Sequence, residues 1–205
     1  MISTRYEAVL FDFDGVLVDS EPLHFECWNE ILRPFDLAIG WDDYVSNCIG
    51  VADRAMIQAM CRVVGRDDLF PAIWERYPSK KALFRDRMVE AVPMPAATRD
   101  MLAGLGGFRL AVVSSSGRAE IEPTLEAVGV RNLFETIVTG EDVSKLKPSP
   151  EPYQTAAQRL GVTRALVVED SAAGIASGRA AGFDVVEIPA ADLTAELVRR
   201  HLGLA

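Results

Sequence analysis

The apolar positions of this chain fall into two patterns. Five short runs, residues 8–13, 110–113, 136–139, 165–168 and 184–188, are rich in Val, Ile, Leu or Phe. They are too short for typical helices and apolar on consecutive positions, as strands covered on both faces of a parallel sheet must be. Helical periodicity separates the later runs. One helix is predicted from Ser149-Pro150 to Gly161, with proline suited to the first turn; another follows Ser171 and stops at Gly182. Strand alternating with helix predicts a doubly wound α/β sheet.

Between the first and second runs the rhythm changes. Residues 20–91 hold no strand pattern, only helical ones at 22–32, 53–64 and 71–90. That is too long for a simple crossover and predicts an inserted domain. The expected organisation is a Rossmann-like core of residues 1–17 and 92–205, with a small α-helical cap domain at 18–91. Trp28, Trp41 and Trp74 are expected to pack the cap's interior. The GLGG at residues 104–107 precedes a strand instead of following one, so it reads as a helix end and turn, not a nucleotide-binding fingerprint.

Polar clusters sit where the strands end. Asp12 and Asp14 close the first run, and strand residues i and i+2 face the same side. Ser114-Ser115-Ser116 follow the second run, Lys147 follows the third and its loop, and Glu169-Asp170-Ser171 follow the fourth. In open α/β sheets ligands bind at this edge. Four carboxylates, a hydroxyl cluster and a lysine are thus predicted to converge there.

Composition narrows the partners. Thirty acids against 21 basic residues give a net charge of -9 over 205 residues, and such a surface repels nucleic acid and anionic membranes. No run approaches the ~20 apolar residues of a membrane span. The N-terminus reaches acidic residues before any apolar run could serve as a signal peptide. Cys27, Cys48 and Cys61 are odd in number and lack metal-ligand spacing, so reduced thiols are expected. A cytoplasmic monomer is the resulting expectation.

The clusters resemble the four motifs of the haloacid dehalogenase superfamily, in order and across essentially the whole chain. DFDGVLVDSE at residues 12–21 resembles its first motif, DxDGxLxDSE; Ser114 resembles the second, Lys147-Pro148 the third, and Glu169-Asp170-Ser171-Ala172-Ala173-Gly174 the fourth. The resemblance is to members with a helical cap, of the phosphatase and β-phosphoglucomutase type. It implies Asp12 as nucleophile, Asp14 as acid and base, and Lys147 and Ser114 as charge and hydrogen-bond partners of the transferring group. It also implies Mg²⁺ held by Asp12, Asp14 through its carbonyl, Asp170 and Glu169, with Glu169 direct or behind the others. Ser171 is expected as a helix cap.

The resemblance further suggests substrate contacts at Ser115, Ser116, Arg118, His24, Gly50, Arg54 and Lys81. Asp14 favours ester hydrolysis or a mutase reaction over dehalogenation, because halide leaves without a proton. The leading expectation is a phosphatase acting on a small phosphorylated metabolite such as a sugar phosphate. A hexose-phosphate mutase is the first alternative. Ile49 stands before the cap-loop glycine where such mutases carry lysine, Arg54 lies one position late, and Gly117-Arg118 replace the usual Lys-Asn. A non-catalytic binding module is the second, and it would be expected to lose a nucleophile, acid or metal ligand.

Overall fold

The computed structural model describes residues 5–49 and 51–204. The chain divides into two compact units, Ser20–Ala91 and the remainder, up to Asp19 and from Val92 onward. Elements run in the order β1 (Ala8–Phe11), α1 (Glu21–Leu32), α2 (Trp41–Asn47), α3 (Asp53–Val63), α4 (Phe70–Trp74) and α5 (Tyr77–Glu90). Next come α6 (Ala96–Gly104), β2 (Arg109–Val113), α7 (Arg118–Ala127), β3 (Thr136–Val138) and α8 (Glu151–Leu160). The chain closes with β4 (Ala165–Glu169), α9 (Ala172–Ala180), β5 (Asp184–Glu187) and α10 (Thr194–Leu202). Among the described residues no helix is long and apolar enough to cross a membrane.

The five strands form one parallel sheet in the order β3-β2-β1-β4-β5. Consecutive apolar residues are explained by burial on both faces. Leu10, Ala111, Val113, Val138 and Val167 pack with Tyr153, Ala156 and Leu160 of α8 on one face. Their neighbours Val9, Phe11, Val112, Leu166 and Val168, which point the other way, are equally inaccessible. β3 and β5 are the edge strands, and β5 is partly exposed. The doubly wound, Rossmann-like α/β fold with an inserted helical unit is therefore as the sequence predicts.

The helical unit has its own core, built on Trp28, Ile31, Leu32, Tyr44, Met56, Ile57, Cys61 and Ile73. Its cysteines are free, with Cys27 and Cys61 buried. Two expectations need correction here. The pattern at 71–90 is two helices, α4 and α5, parted by a turn at Glu75 and Arg76. Pro78 in the first turn of α5 has no N–H for the Trp74 carbonyl, so one continuous helix is disfavoured. Trp41 is 43% exposed and stays outside the core, stacked on Tyr44 with ring centroids 5.8 Å apart.

Candidate active site

Strand ends position the site. Asp12 extends the β1 ladder by one bond, its N–H donating to the Val168 carbonyl at 2.9 Å. The chain then turns back on itself: the Leu17 N–H reaches the Phe13 carbonyl at 2.9 Å, and the Gly15 N–H reaches the Val18 carbonyl at 2.8 Å. Asp14 therefore lies in a turn, beyond the strand, and strand alternation is not what orients it. Gly15 is required there twice over. Its φ is +73°, and a Cβ on it would fall 2.0 Å from Oδ2 of Asp170. The glycine lets the fourth motif's carboxylate approach the first motif's backbone.

Lys147 is the hub of the cluster. Its Nζ donates to Asp12 Oδ1 at 2.7 Å, Glu169 Oε1 at 2.6 Å and the Val113 carbonyl at 2.9 Å. Burial alone would lower its pKa, but Asp12 and Glu169 outweigh burial and hold the ammonium above its usual value. Asp12 is pushed the other way. Burial raises its carboxyl well above the ordinary range, Lys147 opposes the rise, and Glu169 and Asp14 add to it.

Glu169 is wholly buried and saturated with donors. Besides Lys147, Oε1 accepts from the Tyr153 hydroxyl at 2.8 Å. Oε2 accepts from the N–H groups of Asp170 and Ser171, at 3.1 and 3.2 Å, and from Ser171 Oγ at 3.1 Å. Gly174 makes room for this carboxylate, since a Cβ there would lie 1.7 Å from Oε1. Ser171 caps α9, its Oγ accepting from the Gly174 N–H at 3.0 Å. Asp170 keeps solvent access, yet burial and then Glu169 push its carboxyl up to about 6.

Asp12, Glu169 and Asp170 each offer a carboxylate oxygen, these lying within 4.8 Å of one another. Of the serines, Ser114 is buried and its Oγ accepts from the Ser116 N–H at 3.0 Å. Ser116 meets a carboxylate from this side, its Oγ donating to Asp14 Oδ2 at 2.9 Å. Ser115 is exposed. Arg118 turns to scaffold partners: Glu122 Oε1 at 3.1 Å, the Ile137 carbonyl at 3.2 Å and Asp142 Oδ2 at 2.7 Å. These contacts account for Arg118 without a substrate.

The remaining candidates belong to the helical unit. Gly50 lies outside the described residues. The Arg54 guanidinium stands 5.2 Å from the ring centroids of both Phe70 and Trp74, and the exposed residue is spent on cation–π contacts. His24 stacks on Phe84 at 3.8 Å, and its Nδ1 lies 2.6 Å from Lys80 Nζ. Burial, then Lys80, hold the imidazole well below its usual range despite Asp53, so it is neutral at pH 7. Lys81 is half-buried on α5.

The sequence reading passed over two buried polar side chains. Lys80 is 2% exposed, with Asp53 Oδ2 at 3.7 Å and the rings of Trp28 and Phe84 each at 5.3 Å. Its signal was the spacing Lys80, Phe84, Met88, which puts it on the buried face of α5. Tyr153 is wholly buried, and its ring centroid lies 5.2 Å from Lys147 Nζ. Burial and Glu169 keep its phenol protonated. It sits among Ala156, Ala157 and Leu160 on the apolar face of α8, where tyrosine reads as core.

The chain is similar to known proteins along most of its length. Fructose-1-phosphate phosphatase YqaB of Escherichia coli (strain K12) is 31% identical over 188 residues, covering 90% of this chain and 97% of that protein. A phosphorylated carbohydrates phosphatase of Thermotoga maritima is 28% identical, covering 87% of this chain and 82% of that protein. The crystal structure of CbbY from Rhodobacter sphaeroides in complex with phosphate superimposes with a TM-score of 0.70 at 27% identity, covering 88% and 84% of the two chains. The family model described as haloacid dehalogenase-like hydrolase matches residues 9–188, a span holding all four motif clusters. With that match added to the sheet order and the motif positions, the chain belongs to the haloacid dehalogenase-like hydrolases and is an enzyme.

Proposed function

We propose that this protein is a Mg²⁺-dependent phosphatase that hydrolyses a small phosphorylated metabolite, a sugar phosphate, through an aspartyl-phosphate on Asp12. The observation that carries the reading is the buried Asp12 carboxylate, gripped by Lys147 with Asp170 beside it. The named activities of YqaB and the Thermotoga phosphatase support the substrate class.

The residues present suit Mg²⁺. Their donors are hard oxygens, and burial and mutual repulsion raise the carboxyl groups of Asp12 and Asp170, a cost that a cation would relieve. Asp12, Asp170 and the Asp14 carbonyl would hold it, with Glu169 behind them because its oxygens already accept five hydrogen bonds. When bound, the ion neutralises phosphoryl oxygens so that a carboxylate can approach them.

In the first step an Asp12 carboxylate oxygen attacks phosphorus and the P–O bond to the sugar breaks. Asp14 protonates the departing alkoxide, and Lys147 offsets charge on the transferring group. Asp14 then takes a proton from water as that water attacks phosphorus, which frees phosphate and restores Asp12. Different surroundings give Asp12 and Asp14 their separate tasks: one is pinned by Lys147, the other accepts a hydrogen bond from Ser116 in the turn after β1.

Purified protein with fructose 1-phosphate or glucose phosphates is expected to release inorganic phosphate, to stop in EDTA and to resume with Mg²⁺. Undiminished turnover in metal-free buffer would contradict the reading, as would isomerisation of β-glucose 1-phosphate with no free phosphate. A second expectation isolates the acid. Asp14→Asn should lower kcat/KM, which reports only the steps up to the aspartyl-phosphate, by about 10³-fold for alkyl phosphates and about tenfold or less for aryl phosphates, since a phenolate leaves with little protonation. Equal losses on both substrate types would remove Asp14 from the leaving-group step.

A further inference from the structure

Lys147 ends in a flexible four-carbon stem, yet its ammonium is fixed by three acceptors: Asp12 Oδ1, Glu169 Oε1 and the Val113 carbonyl. The Glu169 contact is useful only if Glu169 itself cannot move. Backbone and Ser171 donors hold its Oε2, at the turn into α9. On the Oε1 side, Lys147 is joined by one other donor among the described hydrogen bonds, the Tyr153 hydroxyl at 2.8 Å.

Tyr153 is suited to anchoring. It lies on α8, wholly buried, in the cluster that packs Leu10, Val113 and Val167 of the sheet. Its ring has no room to swing, and its face lies against the Lys147 ammonium, 5.2 Å from Nζ to centroid. A tyrosine serving only as core filler would be replaceable by phenylalanine, whose ring is the same. The hydroxyl is the part that packing does not need, and it is aimed at the carboxylate that holds the lysine.

We propose that Tyr153 is a positioning residue of the phosphoryl-transfer site: its hydroxyl braces Glu169 and its ring backs Lys147, fixing the ammonium beside Asp12. The assignment rests on the phosphatase reading for its kinetic consequence, but the binding consequence does not depend on turnover. Without the phenol, Glu169 Oε1 keeps Lys147 as its remaining donor and can draw the ammonium off the line toward the transferring group.

The test is Tyr153→Phe in the full chain, measured by steady-state kinetics and by calorimetric titration with inorganic phosphate in Mg²⁺. The expected result is a fall in kcat of about tenfold with KM within about twofold, as for a lost hydrogen bond to a charged group that acts on the transition state. Phosphate affinity should fall by about twofold, the smaller share of the same loss that is felt in the bound ground state. Incorporating 4-aminophenylalanine at position 153, which restores a donor, should recover most of both, and it serves as the readout if the phenylalanine variant folds poorly. A variant with a lower melting temperature but unchanged kcat and phosphate affinity would overturn the proposal and leave Tyr153 as packing. Wild-type protein that binds phosphate but hydrolyses no ester would sink the phosphatase reading alone, since the affinity comparison still judges Tyr153.

Discussion

Asp12→Asn is expected to abolish phosphate release, by at least about 10⁴-fold, while leaving the fold intact or slightly more stable in EDTA. The loss of turnover follows from chemistry: an amide is no nucleophile toward phosphorus and no anionic metal ligand. The stability expectation follows from the site's own electrostatics. Asp12 is buried among carboxylates, and its pKa in the folded protein lies above the unfolded value. A raised carboxyl contributes stability that is present below the ordinary carboxylate range and lost as pH rises through the folded value. At pH 7, between the unfolded value and the folded value of about 8, most of that stability is already lost, and asparagine, which does not titrate, removes that burden. Its Oδ1 can still accept from Lys147, which also keeps Glu169 and the Val113 carbonyl. Thermal melts of both proteins in EDTA and in Mg²⁺ check this, with added Mg²⁺ expected to favour the wild type. A folded variant with near-native turnover would remove Asp12 from its role, and a variant melting far lower in EDTA would show that the Asp12–Lys147 contact is chiefly structural.

The core's strands were legible because burial on both faces leaves unbroken apolar runs, as at Val9, Leu10 and Phe11. Helix ends were legible where glycine takes a left-handed conformation, as Gly161 does at φ 65° after α8. The co-location of Asp12, Lys147, Glu169 and Asp170 was legible for a topological reason: each follows or ends a strand, and parallel strands end on one edge. The reason given for Asp14 was not the operative one. A turn around Gly15 places it, and the pleat of β1 has ended by then.

Side-chain direction was the harder inference. Lys80 and Lys81 are adjacent and chemically identical, and a charge is assumed to face water. The i, i+4 spacing of Lys80, Phe84 and Met88 decides otherwise, and the faces of Trp28 and Phe84 together with Asp53 make the burial tolerable. Arg118 shows the opposite limit. Its contact with Glu122 is an i, i+4 pair readable from the chain, whereas Asp142 lies 24 residues away and only the folded loop after β3 brings it near. Tyr153 combines both difficulties, because its ring follows the apolar periodicity of α8 and its hydroxyl partner is 16 residues off.

Lys147→Met should be the most damaging single change to stability in the cluster, and nearly as damaging to turnover as loss of Asp12. The side chain is 6% exposed and stands between two carboxylates, of Asp12 and Glu169, themselves 11% and 0% exposed. Methionine fills most of the volume, so the packing against Tyr153 is largely kept. What disappears is the positive charge, and two buried anions remain facing each other. Removing one partner of a buried ion pair costs about 3–5 kcal/mol, which for a chain of this size lowers the melting temperature by roughly 10 °C. Mg²⁺ should return part of that loss, since a cation at Asp12 and Asp170 supplies charge to the same cluster. Turnover should not return with it. The ion cannot occupy the position of Nζ, 2.7 Å from Asp12 on the Val113 side, so a fall of about 10³-fold or more is expected to persist at saturating Mg²⁺. Lys147→Arg separates charge from shape: the planar guanidinium keeps the charge, restores most of the melting temperature and, being too broad for three acceptors set around one nitrogen, leaves turnover low. Near-native turnover in the methionine variant, or a melting temperature unchanged in EDTA, would show that the lysine is neither the charge partner of the phosphoryl group nor the cation that makes this carboxylate cluster compatible with folding.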